Sequence, residues 1–507
     1  MKINENLFVS YNNPEELKQF KLLKNITELL HKMEDEFSDN VAILKDDGNV
    51  TYKELCLDVK SVIKVLNDNE ILPKQNVGVY SPNNYNFTKA ALATMANGSV
   101  ATLLPVQIDD KTVYGCCLKY NLTALLYDPV LEEKVAFAKK MLPNVKFIPI
   151  VPFEGYAEYN ENVEASDRAC IVMTGGTTGK SKGAVLSHRA VMTGILNGVY
   201  GVYKNFEQVY YSIMPLTHVF GLIRNLLTCL YTGSSIYFAG NDKKNMFKEI
   251  QMVRPTILIV VPALAEIFLN LSKQFGTKML GGRVETMIAG GASVSPYIVS
   301  EFKELGIKCL PGYGLTESAN LVSGNPNQDK PSSVGLPYQH QEFKLVNEEL
   351  WIKGPNIMEC YYNEPEENAN AFEDGWFKTG DLVRFDEEGY LYITGRIKDI
   401  IVLSNGENVS PAHLEDKLNA MVPVIQDSLI YADKNQLGVE QLVVEVTLRP
   451  ALVAKLGISD MQAYLDNELA KFNETVYEYE KVARIIIRTE DFPRTGSMKI
   501  IRKKTVL

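Results

Sequence analysis

Short β-branched runs alternate with segments of helical period through the first three-quarters of the chain. Asn76–Tyr80, Ala124–Tyr127, Ala169–Met173, Ile257–Val261 and Val284–Ala289 read as buried strands, with Asn84–Met95, Leu131–Met141 and Ser295–Leu305 as helices between them. Strands parted by helix-length segments need crossover connections, so this part is predicted to be α/β with parallel-rich sheets. From about Val334 the pattern becomes short alternating runs: Phe343–Val346, Leu350–Lys353, Leu382–Phe385 and Tyr390–Thr394. Gly, Asn, Asp and Pro turns separate them, which predicts an antiparallel β-rich subdomain over about 334–396. The final block has the size of a small domain. It carries a strand at Ile400–Leu403, helices at Pro411–Met421 and Met461–Phe472, and strands near Ser428–Tyr431, Leu442–Thr447 and Ala483–Arg488. That order predicts an α+β unit on a mixed sheet. The expected organisation is a large N-terminal domain, 1–396, and a small domain, 397–507, joined near Lys398.

Composition narrows the function classes. With 46% hydrophobic and 22% charged residues, the 507-residue chain has ample apolar material for several cores. A formal net charge of −10 argues against nonspecific binding to nucleic acids or anionic membranes. The apolar run Ile257 to Ala265 is broken by Pro262, too short to span a bilayer, and the N-terminus lacks a signal-peptide pattern. Seven scattered cysteines without a CxxC pair, and only five histidines, fit reduced thiols better than a zinc site. These features point to a soluble, cytoplasmic protein with no membrane span.

The densest chemistry lies at Thr174-Gly175-Gly176-Thr177-Thr178-Gly179-Lys180-Ser181-Lys182-Gly183, directly after the strand that ends at Met173. Glycines let successive N–H groups turn towards one anion, threonine hydroxyls add donors, and lysines neutralise phosphate. Gly179-Lys180-Ser181 imitates the end of a P-loop, but only three residues separate Gly175 from Gly179 and Thr174 holds the position that motif reserves for glycine. The spacing excludes a P-loop kinase and leaves a phosphate loop of another kind.

This loop resembles the T-S-G-T-T-G-x-P-K-G signature of the acyl-adenylate-forming superfamily, which includes acyl- and aryl-CoA ligases, luciferases and peptide-synthetase adenylation domains. Lys182 matches the signature lysine, while Gly175 replaces serine and Ser181 replaces proline. Further elements follow in the family's order. Val50-Thr51-Tyr52-Lys53-Glu54-Leu55 is similar to T-Y-x-E-L, and Pro215-Leu216-Thr217-His218-Val219-Phe220-Gly221 to P-L-x-H-x-x-G. Ala289-Gly290-Gly291-Ala292 and Gly312-Tyr313-Gly314-Leu315-Thr316-Glu317 resemble the two nucleotide-pocket segments. Gly375-Trp376-Phe377-Lys378-Thr379-Gly380-Asp381 matches G-W-x-x-T-G-D. Gly395-Arg396-Ile397-Lys398-Asp399, Gly406-Glu407-Asn408-Val409-Ser410-Pro411 and Pro493-Arg494-Thr495-Gly496-Ser497-Met498-Lys499 complete the set, so the resemblance covers essentially the whole chain.

The resemblance implies ATP-dependent adenylation of a carboxylic acid, release of pyrophosphate and transfer of the acyl group to a thiol. Joining a carboxylate to the α-phosphate brings two anions together, so the site must cancel charge where it develops. Glu317 would hold Mg²⁺ and Thr316 would donate to the α-phosphate. Tyr313 would stack on adenine beside Gly290-Gly291-Ala292, Asp381 would accept from the ribose hydroxyls, and Arg396 would reach the sugar or the phosphate. Lys499 would contact the reacting carboxylate and the α-phosphate. His218 would flank the carboxylate and the thiol tunnel. Lys398 would be the hinge about which the small domain rotates, withdrawing Lys499 and bringing the Gly406 segment to the thiol.

Choice of acid and acceptor is less constrained. The segment Gly221–Leu227 lacks the aspartate that anchors an amino acid's ammonium in the peptide-synthetase branch. Gly314, where acetate-specific relatives carry tryptophan, is expected to leave room for medium or long aliphatic or aryl acids. Arg224 could pair with a second substrate carboxylate, or be exposed or paired internally. The short Gly335–Pro355 segment and the lack of a fused carrier domain favour coenzyme A, with a phosphopantetheine thiol on a separate carrier protein as the alternative. A regulator built on an inactive ligase would have lost Lys499 or Glu317, and both are present.

Overall fold

The computed structural model describes residues 5–174, 181–240, 243–403, 407–435, 440–494 and 500–502. Among these, two large sheets, nine and seven strands wide, dominate the N-terminal part. The seven-stranded sheet is parallel through Lys146–Pro149, Leu122–Tyr127, Asn76–Tyr80, Val100–Leu103 and Arg168–Met173, then turns antiparallel at Gly183–Ser187. The nine-stranded sheet is parallel from Val41–Leu44 through Ser235–Phe238, Val209–Ser212, Ile257–Val260 and Thr286–Ala289 to Lys308–Tyr313, with antiparallel edges.

Both sheets are covered on both faces, which is why their strands read as continuous apolar runs rather than alternating ones. One core lies between the sheets and takes Ile43 and Ile236 from one and Val77 and Ala101 from the other. The helix Tyr85–Ala96 runs through this core and is buried from Phe87 to Ala96; its alanines let the backbone pack closely. Asn84 starts it by accepting from Phe87 N–H at 3.0 Å. Helices Pro262–Phe275 and Pro296–Glu304 cover the outer face of the nine-stranded sheet, and Asp110–Lys119 and Glu132–Met141 that of the seven-stranded sheet. The order is helix, sheet, helix, sheet, helix. No described helix is long and apolar enough to cross a membrane.

Glu342–Val346, Glu349–Lys353, Trp376–Phe385 and Leu391–Arg396 form an antiparallel sheet, with Phe372–Glu373 on its edge. The strand carrying the Gly380-Asp381 pair is longer than its sequence suggests, since it pairs with neighbours on both sides from Trp376 onwards. In the C-terminal part, Ile425–Lys434 and Glu440–Leu448 pair antiparallel, while Val482–Ile487 adds parallel, a mixed sheet as expected. Pro411–Met421 and Met461–Asn473 pack on it around Leu414, Leu418, Leu465 and Phe472.

Candidate functional site

The two large sheets present their strand C-terminal ends, and the loops that leave them, to one region. The strand Arg168–Met173 leads to Thr174, whose N–H donates to Lys182 O at 2.7 Å, while the Ser181 hydroxyl donates to Thr174 O at 3.0 Å. These bonds close the neck of the phosphate loop. Gly175, Gly176, Thr177, Thr178 and Gly179 lie outside the described residues, as do Gly406 and Lys499. Lys182 sits at the neck with its ammonium paired to Glu367 and 4.8 Å from the centre of the Tyr361 ring.

The strand Lys308–Tyr313 ends at the second cluster. Leu315–Asn320 turns back tightly, with Ala319 at φ 48° and Asn320 at φ 83°, a left-handed pair of non-glycine residues that begins two positions after Glu317. Such conformations cost about 1–3 kcal/mol each and gather at functional sites. The turn brings the Asn320 carbonyl under Gly314, where a Cβ would stand 1.3 Å from that oxygen. A side chain of any size at position 314 is therefore excluded by the chain itself. Glycine is required there because backbone passes through the side-chain position.

Thr316 is buried and Glu317 half-buried at the turn. Tyr361 donates its hydroxyl to Glu317 Oε1 at 2.7 Å; burial, and then this carboxylate, push the phenol well above its ordinary range. Glu317 is thus oriented by the same ring that faces Lys182. Tyr361 was not singled out from sequence, because a tyrosine outside any motif looks like core material. One carboxylate with a second oxygen to spare suits Mg²⁺, which binds through one or two carboxylates and completes its shell with phosphate oxygens and water.

Across from this turn lies a second polar cluster. Asp381 stands directly opposite Arg396 in the register of their two strands. It is 1% exposed, and its Oδ1 pairs with Arg396 Nε at 2.5 Å. Tyr313 donates to Oδ2 at 2.6 Å, and Arg396 Nη2 reaches the same oxygen at 3.3 Å. Burial first, then Asp381, raise the Tyr313 phenol far above its usual range. Burial opposes charge on Arg396, but the adjacent Asp381 more than offsets it and the guanidinium is held above its ordinary value. A carboxylate has about four lone-pair directions, so Asp381 keeps acceptor capacity for further hydroxyls. Lys398 follows within electrostatic reach of Arg396, Asp381 and Glu317, its ammonium held below the usual lysine range by burial and by Arg396.

Gly290, Gly291 and Ala292 leave the strand Thr286–Ala289. A Cβ at Gly290 would lie 3.4 Å from Gly312 O and from Phe220 Cζ, which places this segment against the Tyr313 strand. Gly291 and Ala292 are exposed. His218 precedes the helical turn that begins at Phe220; its Nδ1 accepts from Phe220 N–H at 3.2 Å, so the neutral ring carries its proton on Nε2. The structure thus brings together Thr174, Lys182, Glu317 and Tyr361 on one side and Tyr313, Asp381 and Arg396 on the other, with Gly314 and Thr316 on the turn that links them.

The C-terminal unit is docked beside this cleft. Ser293, just past Ala292, donates to Asp416 at 3.0 Å, and Glu266 pairs with Arg449, which also stacks 4.8 Å from the Tyr297 ring centre.

Comparison with known proteins gives a consistent picture. The profile of the AMP-binding enzyme family matches residues 30–362, and that of the AMP-binding enzyme C-terminal domain matches 398–507. The chain is similar to the long-chain-fatty-acid–CoA ligase of Salmonella typhimurium, 30% identical over 402 residues that cover 74% of this chain and 69% of that one. It is also similar to the 2-succinylbenzoate–CoA ligase of Bacillus cereus, 25% identical over 481 residues, covering 92% and 95%. Among solved structures, an anthranilate CoA ligase in complex with anthranoyl-AMP shares the fold with a TM-score of 0.83 at 19% identity, covering 96% of this chain and 97% of that one.

Proposed function

Since the chain belongs to the AMP-binding enzyme family, we propose that it is an AMP-forming acid–thiol ligase that activates a carboxylic acid as its acyl-adenylate and passes the acyl group to coenzyme A. The observation that carries this reading is the pair of facing clusters. Thr316, Glu317 and Lys182 present polar and charged groups suited to phosphates and their metal, while Tyr313 offers a flat ring, Asp381 hydrogen-bond acceptors and Arg396 donors suited to a nucleoside.

In the first step a carboxylate oxygen attacks the α-phosphorus and pyrophosphate leaves. Lys182 and the phosphate-loop amides would neutralise the departing phosphates, Thr316 would donate to the α-phosphate, and Lys499 would offset the charge that gathers between carboxylate and phosphate. Glu317 would hold Mg²⁺, which would supply Lewis-acid chemistry when bound. Tyr361 keeps Glu317 oriented. In the second step a thiolate attacks the acyl carbon and AMP leaves, with His218 lining the approach. For this the unit 397–507 would rotate about Lys398 relative to 1–396 and exchange Lys499 for the Gly406 segment. The named relatives act on acids as unlike as long-chain fatty acids and 2-succinylbenzoate.

Carboxylate-dependent ATP–pyrophosphate exchange, run without coenzyme A over fatty, aryl, dicarboxylic and amino acids, tests the proposal. Exchange with one class is expected, followed by AMP and thioester on addition of coenzyme A. Formation of ADP would overturn the reaction type. Exchange without a coenzyme A thioester would move the acceptor to a carrier-borne thiol.

A further inference from the structure

Arg224 lies on the helical segment Phe220–Leu227, which is buried at every position, and is itself only 2% exposed. Among the described residues no carboxylate is within ion-pair distance of it, and Nη1 is buried without a hydrogen-bond partner. The Tyr210 phenol faces the guanidinium, a neutral neighbour. Guanidinium groups keep their charge in proteins, and burying one without a counter-ion is strongly unfavourable. A ligand can supply the missing anion.

Position identifies the ligand. The segment starts two residues after His218, and the Phe220 ring reaches Gly290 in the nucleotide-side wall. The segment is a π-helix, whose rise per residue is smaller than that of an α-helix, so Arg224, four residues beyond Phe220, lies less than about 9 Å along the axis from His218. Its neighbour Ile223 converges with Ala319 over Gly194, where a Cβ would meet Ala319 O at 2.5 Å and Ile223 Cγ2 at 3.0 Å. Asn320, next to Ala319, also has a buried donor, Nδ2, without an acceptor. Two unsatisfied donors thus sit on adjoining elements behind the place where the reacting carboxylate would lie.

We propose that Arg224 anchors the distal carboxylate of a dicarboxylic acid whose other carboxylate is adenylated. The assignment rests on the adenylation reading for which end reacts. The planar guanidinium fork matches a carboxylate in two-point contact, and Asn320 Nδ2 offers a further donor. A plain fatty chain would leave both donors buried and empty.

The test compares dicarboxylic acids, straight-chain and aryl, with their monomethyl esters in pyrophosphate exchange, using wild type, Arg224→Leu and Arg224→Lys. In parallel, thermal shift with each acid alone, without ATP, reads binding. Wild type is expected to prefer the diacid by about 100-fold or more in kcat/KM, since a site built for a polar group rejects analogues that lack it. Arg224→Leu should lose that ratio and be at least as heat-stable as wild type without ligand, because a buried unpaired charge has been removed. Arg224→Lys should keep part of the preference. Equal use of diacid and ester by wild type, or an unchanged ratio in Arg224→Leu, overturns the proposal and leaves adenylation standing. If no acid supports exchange, the adenylation reading fails, and diacid-induced stabilisation decides this one: present in wild type and lost in Arg224→Leu supports it, absent in wild type overturns it. Should Arg224→Leu not fold, the wild-type ratio and Arg224→Lys decide.

Discussion

Removing the Glu266 carboxylate separates the docking of the C-terminal unit from the chemistry of the cleft. Glu266 belongs to the helix Pro262–Phe275, while Arg449 caps Pro450–Leu456 in the C-terminal unit. Their side chains are 9% and 3% exposed, so this is a buried pair rather than a solvated surface one. Losing one partner of a buried pair costs about 3–5 kcal/mol. Arg449 also donates to the carbonyls of Pro423 and Ile425, which stay in place when Glu266 is truncated. These retained acceptors lower the expectation for Glu266→Ala to about 2–3 kcal/mol, or roughly 30- to 150-fold in the docking equilibrium at 1.36 kcal/mol per tenfold. The loss should fall on docking, because the pair joins two units and lies within neither. Pyrophosphate exchange and thioester formation from supplied acyl-AMP, measured side by side, read the two half-reactions. Their ratio should shift by about that factor, with the half-reaction that uses this docking the one slowed. A double-mutant cycle with Arg449→Ala in chemical denaturation should return a coupling of about 2 kcal/mol or more. Parallel decline of both half-reactions, or coupling below about 0.5 kcal/mol, would refute the reasoning.

Three further outcomes are expected. Lys499→Ala should lower pyrophosphate exchange by about 10²-fold or more while thioester formation from acyl-AMP stays within a few-fold; equal loss in both assays would remove Lys499 from the first step. Gly314→Ala places a Cβ where the Asn320 carbonyl passes, so the denaturation midpoint should fall by the equivalent of about 2–3 kcal/mol, and KM for ATP should rise; wild-type stability would show that the turn adapts. Glu415 is buried beside Arg502, and burial lifts its carboxyl to about 7 despite the guanidinium and the Ile430 amide. Burial makes this carboxyl harder to ionise in the folded form than in the unfolded chain, so stability should fall as pH rises from about 4.5 to 7, the loss being held down by the two-oxygen pairing with Arg502. Glu415→Gln should flatten that slope in denaturation series at several pH values, and an unchanged slope would assign it to other groups.

Much of this architecture was legible because the covering of each sheet is written locally. Asn76–Tyr80 and Pro411–Met421 take the limits their patterns indicate, since a run bounded by turn residues, or a helix opened by Pro411, has few alternatives. The Asp381–Arg396 contact was visible only as two family positions; it exists because strand register sets them opposite one another. The Thr51–Glu54 element has a plain physical meaning, a reciprocal capping box in which Thr51 N–H donates to Glu54 at 2.7 Å and Glu54 N–H to Thr51 Oγ1 at 3.2 Å. The roles of Gly314 and Tyr361 were not legible, because each depends on a segment distant in sequence: the returning Asn320 carbonyl and the position of Glu317. For Arg224 a second substrate carboxylate was one of three readings left open, and what chooses among them, burial without a counter-ion in the apolar packing around Phe220–Leu227, is set by the fold.

The departures from the family signature in the phosphate loop follow the same logic. A proline at position 181 would stiffen the exit from the loop by fixing φ and removing an N–H. Ser181 does neither, but its hydroxyl donates to Thr174 O across the neck, beside the Thr174 N–H bond to Lys182 O. The neck is therefore closed by two hydrogen bonds, one of which proline could not make. Closure there fixes where Lys182 emerges, and Tyr361 and Glu367 hold its side chain in place. Since Tyr361 also orients Glu317, one aromatic ring positions both the cation and the carboxylate that the proposed reaction would set against the phosphates. The glycine-rich stretch can thus differ from the signature at Gly175 and Ser181 while the charged groups around it keep their arrangement.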